Sequence, residues 1–255
     1  MAYKNLVSSL AIFFIVVYLA TGAHAASLTY DFVSYIDNQG GNKNGSGGEK
    51  AILGDFSLFD TSNSRSLTIT AQGTNFSSVE GSFTAFPYGY FDYGGAGIGV
   101  CQDINSSSLQ CVVSSDDNLT GEPNKIEILS LAFGEDLRVD GILFRNDGHT
   151  ATFGSGKSVK IATSNGMGTI SASAFTSYTL EALLSSSLLG AGLLDLNPFN
   201  LASGDFLHIM YDGQQVYLSG LEVSTVPLPP SAILFGTALF GLGAFNRRRK
   251  RKALN

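Results

Sequence analysis

The chain contains no tryptophan, only two cysteines, and very little positive charge between its two ends. Each scarcity removes a class of explanation. Without tryptophan, a sugar-stacking cleft has to rely on tyrosine and phenylalanine, for which Tyr88, Tyr90, Phe91 and Tyr93 are the candidates. Aromatics in alternating β segments more often belong to a core, so these four carry both readings. With no CxxC, and with only His149 and His208 left once the first 25 residues are set aside, a metal or catalytic thiol centre has little to build on. No GxSxG elbow, HExxH helix or GxxxxGK[ST] phosphate loop occurs. The glycine run GAGIG (95–99) leads into a cysteine rather than opening a helix. No period of repeat length is apparent.

The charge that is present is mostly negative. Setting aside Lys4 and the six basic residues Arg247, Arg248, Arg249, Lys250, Arg251 and Lys252 leaves eight of the 15 Lys and Arg against all 21 Asp and Glu, about −13. Nucleic acid and anionic membrane surfaces are therefore poor partners, because binding to either rests on Lys and Arg neutralising phosphate. A soluble extracellular protein, a divalent cation or a polar carbohydrate all remain compatible with this balance.

Both ends read as addresses. Lys4, the apolar run LAIFFIVVYL (10–19) and the small-x-small site Ala23-His24-Ala25 form a secretory signal peptide over residues 1–25, with the mature chain starting at Ala26. In the exported chain, Cys101 and Cys111, ten positions apart across QDINSSSLQ, are expected to form a disulfide that staples a polar loop.

Between the ends, residues 26–225 are long enough for one β domain. Segments LTYDFVSYI (28–36), SLTITAQ (66–72), KIEILSLAF (125–133), DGILFRN (140–146), SVKIAT (158–163) and QVYLSGLEV (215–223) alternate or run as short apolar blocks between Gly, Asn, Asp and Ser clusters. That pattern predicts an all-β domain, an antiparallel sandwich or jelly roll. Asp212-Gly213 signals a two-residue hairpin. LEALLSSSLLGAGLL (180–194) has helical spacing, interrupted by serine and glycine.

The stretch at 90–150 gathers the polar residues with chemical potential. Asp116, Asp117, Asn118 and Glu122 are candidate oxygen ligands for Ca²⁺, although EF-hand spacing is absent. The preferred reading is that such residues cap turns by bonding nearby backbone amides. A glycosidase-type carboxylate pair remains open, because such pairs are defined by separation in space. Asn75, Asn105 and Asn118 begin Asn-x-Ser/Thr triplets, a pattern short enough to arise by chance.

The C-terminus, VPLPPSAILFGTALFGLGAFNRRRKRKALN, is the most specific feature. Residues 226–245 are long enough on paper to cross the ~30 Å hydrocarbon core, but prolines occupy the start and only 232–245 is uninterrupted. The basic cluster would hold its end in the cytoplasm. Proline keeps the five residues before the apolar run extended, where a processing enzyme can grip them.

Motif, apolar helix and arginine cluster together resemble the PEP-CTERM protein-sorting domain in its Val-Pro-Leu-Pro-Ala form. Val226, Pro227, Leu228, Pro229 and Pro230 match it except at the last position. The resemblance covers residues 226–255, with the motif at 226–230, a transmembrane helix at 231–246 and the stop-transfer cluster at 247–252. It implies recognition by an exosortase after export through the translocase and signal peptidase, then delivery to the cell surface or extracellular matrix. GIGVCQ, SSDDNLTGE and FRNDGHT are similar to ectodomains seen in such proteins, which bring no activity to carry over. Three rival readings stay open. Leu228-Pro229-Pro230-Ser231-Ala232 is a degenerate LPxTG sortase signal, the tail could be a permanent anchor, and the domain could be a secreted polysaccharide hydrolase rather than a structural, adhesive or carbohydrate-binding module.

Overall fold

The computed structural model describes residues 27–39, 49–62, 65–77, 82–85, 88–112, 118–122, 125–165, 171–180, 184–186 and 191–224. The signal segment with Ala23, Ala25 and Ala26, the whole tail from Val226 onward, and Asp116 and Asp117 lie outside the described residues. Among the described residues no helix is long and apolar enough to cross a membrane.

The domain is all-β, and among the described residues the ladders between strands are antiparallel, with one isolated parallel bridge between Ser158 and Gly213. With strands numbered in chain order, one sheet runs β13 (Leu184–Ser186), β14 (Ala191–Leu201), β10 (Leu137–Asn146), β16 (Val216–Ser224), β7 (Gly97–Cys101), β6 (Tyr88–Asp92) and β2 (Lys50–Ala51). Strand β1 (Ser27–Asp31) also pairs with β16. The second sheet runs β12 (Thr176–Thr179), β11 (Ser158–Ser164), β15 (Phe206–Asp212), β9 (Lys125–Phe133), β4 (Ser66–Ser77) and β3 (Phe56–Phe59). Strands β5 (Ser82–Ala85) and β8 (Gly121–Glu122) attach to β4 and β9.

Period-two alternation decides which side chains meet between the sheets. In β4 and β9, Ile69, Ala71, Leu129, Leu131 and Phe133 face one way. They share a single buried cluster with Ile98, Val100, Val139, Ile142, Phe144, Leu218 and Leu221 from the other sheet. Burying a side chain of this size contributes roughly 1.5–3 kcal/mol, so this shared cluster is what holds the two sheets as one unit, residues Ser27–Thr225.

Three local expectations are corrected. LTYDFVSYI is not one strand: the chain leaves β1 at Asp31 and forms helix α1 (Phe32–Gln39). The cause is Asp31, whose Oδ1 accepts the Ser34 amide at 2.9 Å and so caps the first turn. Phe32, Val33 and Ile36, at helical spacing, then enter the core. Asp212-Gly213 does not close a hairpin either. Gly213 takes φ 91°, but β15 pairs with β9 and β11 while β16 pairs with β10, β7 and β1, so the turn carries the chain from one sheet to the other. The segment 180–194 contains strands β13 and β14 instead of a helix among its described residues.

Cys101 and Cys111 form the expected disulfide, with Cα atoms 5.9 Å apart. The loop it closes is also tied by backbone, since Leu109 O accepts the Ala51 amide at 2.8 Å and the Tyr90 hydroxyl accepts the Cys111 amide at 3.2 Å. Loop-closure entropy for about ten residues gives a stabilisation of about 2 to 3 kcal/mol. Urea unfolding of the Cys101→Ser/Cys111→Ser protein should show a loss of that size with an unchanged folded β signature. An unchanged midpoint would mean that the backbone ties alone hold the loop.

Candidate functional site: a polar cleft between the helix and an edge strand

The bridge between β1 and β3 positions the site. Tyr30 pairs with Asp60, and the Thr61 amide donates to Thr29 O at 2.9 Å. One residue later the chain turns into α1, while β3, whose ladder partner among the described residues is β4, stands at the end of its sheet. Helix and edge strand diverge and leave a cavity of about 420 Å³. Asp31, Ser34, Tyr35 and Asn38 line it from the helix side, and Leu58, Phe59, Asp60 and Thr61 from the strand side.

The walls are held from behind. Tyr35 packs against Phe56 and Phe91, with ring centroids at 5.6 and 5.8 Å, and Asn38 Nδ2 donates to Ser34 Oγ at 3.1 Å. Asp60 is 3% exposed, and its two oxygens accept the Ser62 hydroxyl at 2.7 Å and the Arg65 amide at 3.2 Å. Burial pushes the Asp31 carboxyl above its ordinary value, against the opposing pull of the Ser34 amide. Burial likewise raises the Tyr35 phenol, and pushes neighbouring Tyr30 up to about 12, so both hydroxyls stay neutral hydrogen-bond donors. Among the described residues no lysine, arginine or histidine lines the cavity, and the Arg65 guanidinium is paired with Glu135.

The polar stretch at 90–150 folds into a different arrangement, a clamp between two turns. His149, at φ 56°, places Nδ1 3.1 Å from Gly94 O and Nε2 3.4 Å from Asp92 Oδ2, with its ring edge-on to Tyr217 at 5.3 Å. Arg145 donates to Gly95 O, and the Gly94 amide donates to Asp37 Oδ1 at 3.2 Å. Asn146 shapes its own turn by accepting the Thr150 amide at 2.9 Å. Asn118, 1% exposed, donates to Asp147 Oδ1 at 2.9 Å. These are turn-capping and turn-joining roles. Asp116 and Asp117 lie outside the described residues. The Glu122 backbone pairs with Lys125 in β8, and among the described residues no group of three or more His, Cys, Asp or Glu could hold a metal.

The aromatic candidates separate. Tyr90 and Phe91 are core residues, Tyr88 packs at the disulfide, and Tyr93 is 39% exposed. Asn75 and Asn118 are buried, while Asn105 is exposed and caps the loop by accepting the Ser107 and Ser108 amides at 2.9 and 3.3 Å.

Two buried polar groups have geometry reminiscent of catalysis. His208 meets Ser130 Oγ through Nδ1 and Ser164 Oγ through Nε2, both at 2.7 Å. His208 and Ser130 are each 1% exposed, and burial lowers the imidazole to about 4, so this is a closed structural network rather than a nucleophile and base. Glu127, also 1% exposed, accepts the Thr120 amide at 2.8 Å and the Gln102 side chain, which exchanges two bonds with Asn75 at 2.7 and 2.9 Å. Its charge is satisfied within the end of the core.

The cleft residues were not flagged by sequence reasoning, because they come from two segments without a motif. The one usable signal was Asp31, a helix N-cap placed just before the apolar spacing of Phe32, Val33 and Ile36. No protein-family model matches this chain, and neither does any curated protein or solved structure.

Proposed function

We propose that this chain is an exported cell-surface or extracellular-matrix protein, held briefly in the inner membrane and released by an exosortase-type enzyme acting at Val226, Pro227, Leu228, Pro229 and Pro230. Its signal peptide and C-terminal transmembrane helix flank a jelly-roll-like β-sandwich whose role is non-catalytic: structural, adhesive or carbohydrate-binding. The observation that carries this reading is the unbroken succession of motif, apolar run and basic cluster at 226–252. The disulfide suits an oxidising compartment, and the acidic balance suits a soluble exterior. Mass spectrometry of protein recovered from the cell surface should find a chain beginning at Ala26 and lacking everything beyond the motif. Recovery of peptides from beyond Phe245 would instead establish a permanent anchor. Replacing Val226, Pro227, Leu228, Pro229 and Pro230 by alanine should leave the uncut chain in the membrane fraction.

One observation favours a second reading, a polysaccharide hydrolase: two carboxylates, Asp31 and Asp60, line one cleft. Against it, both are engaged in holding backbone, Asp31 at the start of α1 and Asp60 at the Arg65 amide. Release of reducing ends from an extracellular polysaccharide, abolished by Asp31→Asn, would decide for the hydrolase.

A further inference from the structure

We propose that the cleft between α1 and β3 binds a neutral or amino-bearing pyranose unit of an extracellular polysaccharide. This rests on the reading of the chain as a matrix protein and names the site and sugar class that reading leaves open.

The volume, about 420 Å³, lies within the roughly 300–1,000 Å³ of small-ligand sites. Its chemistry is acceptor-rich. Asp31 offers a carboxylate oxygen, Ser34, Asn38 and Thr61 add hydroxyls and an amide, and Asp60 closes the wall as a buried carboxylate held by Ser62 and the Arg65 amide. A ring bearing several adjacent hydroxyl donors matches such a lining, since an ionised acceptor makes the stronger hydrogen bonds. The sign of the charge selects further. With the Asp31 and Asp60 carboxylates and, among the described residues, no lysine, arginine or histidine in the lining, a uronate or sulfated sugar is disfavoured, and the acidic balance of the chain between its two ends works in the same direction.

The strand side supplies an apolar surface. Alternation in β3 sends Phe56 and Leu58 inward and Phe59 outward, where it is 57% exposed at the cleft. A large aromatic left open on an edge strand beside a polar cavity is the group on which the C–H face of a sugar packs. In a chain without tryptophan, phenylalanine and tyrosine are what remain for that task. The cleft is also preorganised. Phe32, Val33 and Ile36 anchor α1 in the core, and the Tyr30–Asp60 bridge fixes the strand side, so little ordering is needed on binding.

The test is calorimetric titration of the purified full chain with cellohexaose, glucosamine hexasaccharide and hexagalacturonate. Binding is expected for cellohexaose or the amino sugar, or both, and not for the uronate. Asp31→Asn keeps an N-capping side chain but removes the charge, and should weaken binding about tenfold. Phe59→Ala should weaken it about fivefold, and Tyr93→Ala, outside the cleft, should leave it unchanged. Thermal melts of the variants check that the fold persists. Binding that survives Asp31→Asn and Phe59→Ala undiminished, or a preference for hexagalacturonate, overturns the cleft while leaving a carbohydrate-binding domain standing. Absence of binding to all three sugars overturns the carbohydrate reading as well.

Discussion

Gly97→Ala is expected to prevent folding, costing more than about 4 kcal/mol, seen as loss of soluble protein or of any cooperative thermal transition. Two effects act together at this residue. Its φ of 133° lies where side-chain-bearing residues strain the backbone. A Cβ built there would sit 2.3 Å from Leu218 O and 2.9 Å from Leu218 C. Those atoms belong to β16 beside the Leu218↔Ile98 pairing, the contact through which β7, β6 and β2 join the rest of their sheet. Relief by moving β7 would displace Ile98 and Val100, both fully buried, and the buried half of the disulfide at Cys101. Gly54→Ala makes the contrast, because a Cβ there meets nothing within 4 Å and φ is unexceptional. That change should fall within about 0.5 kcal/mol of wild type. A Gly97→Ala protein that melts like wild type would mean that β7 and β16 do not approach this closely.

This glycine also illustrates what the sequence discloses and what it hides. GAGIG could be denied a phosphate-loop role from sequence, since no helix follows, yet its purpose depends on β16, more than a hundred residues away. Strands with clean local patterns were legible: β9 has the bounds its alternation predicts, β11 differs by a residue at one end, and β16 by a residue at each end. Segment 28–36 was not, because Leu28 and Tyr30 alternate as in a strand while Phe32, Val33 and Ile36 fit a helix, and a single capping side chain decides between the two. Asp212-Gly213 shows the same division, for turn chemistry is local but the choice of partner strand is not. The cleft lay furthest from view. Its walls become neighbours only through the Tyr30–Asp60 bridge, which no spacing or composition encodes.

Lowering the pH from 7 to 4 is expected to remove about 3 kcal/mol of stability through His208 alone. The ring is 1% exposed, lies parallel to Phe206 at 5.8 Å and meets Phe175 edge-on at 6.4 Å, and no carboxylate is among its hydrogen-bond partners. Burial therefore lowers its folded pKa from 6.5 to about 4. As pH falls below 6.5 the unfolded chain takes up a proton that the folded chain refuses, so stability declines from there and levels off below about 4, where both states are protonated. Carboxylates complicate the lower end. Asp212, held below its usual value by Lys160, Ser158 and Ser177 against the opposing effect of burial, loses its contribution only as pH falls past the ordinary carboxylate range. Asp31 is shifted in the opposite direction and loses nothing on acidification. His208→Gln separates the terms, because an amide can still join Ser130 and Ser164 but does not titrate. Denaturant unfolding at pH 7, 5.5 and 4.5 should show a steep decline for wild type and a shallow one for the variant. Parallel declines in the two proteins, or an imidazole that titrates near 6.5 by NMR, would place the acid sensitivity elsewhere. Neutral and buried from pH 7 down to about 4, His208 joins three strands as an uncharged bridge, and its place in the core contributes the loss of stability between pH 6.5 and 4.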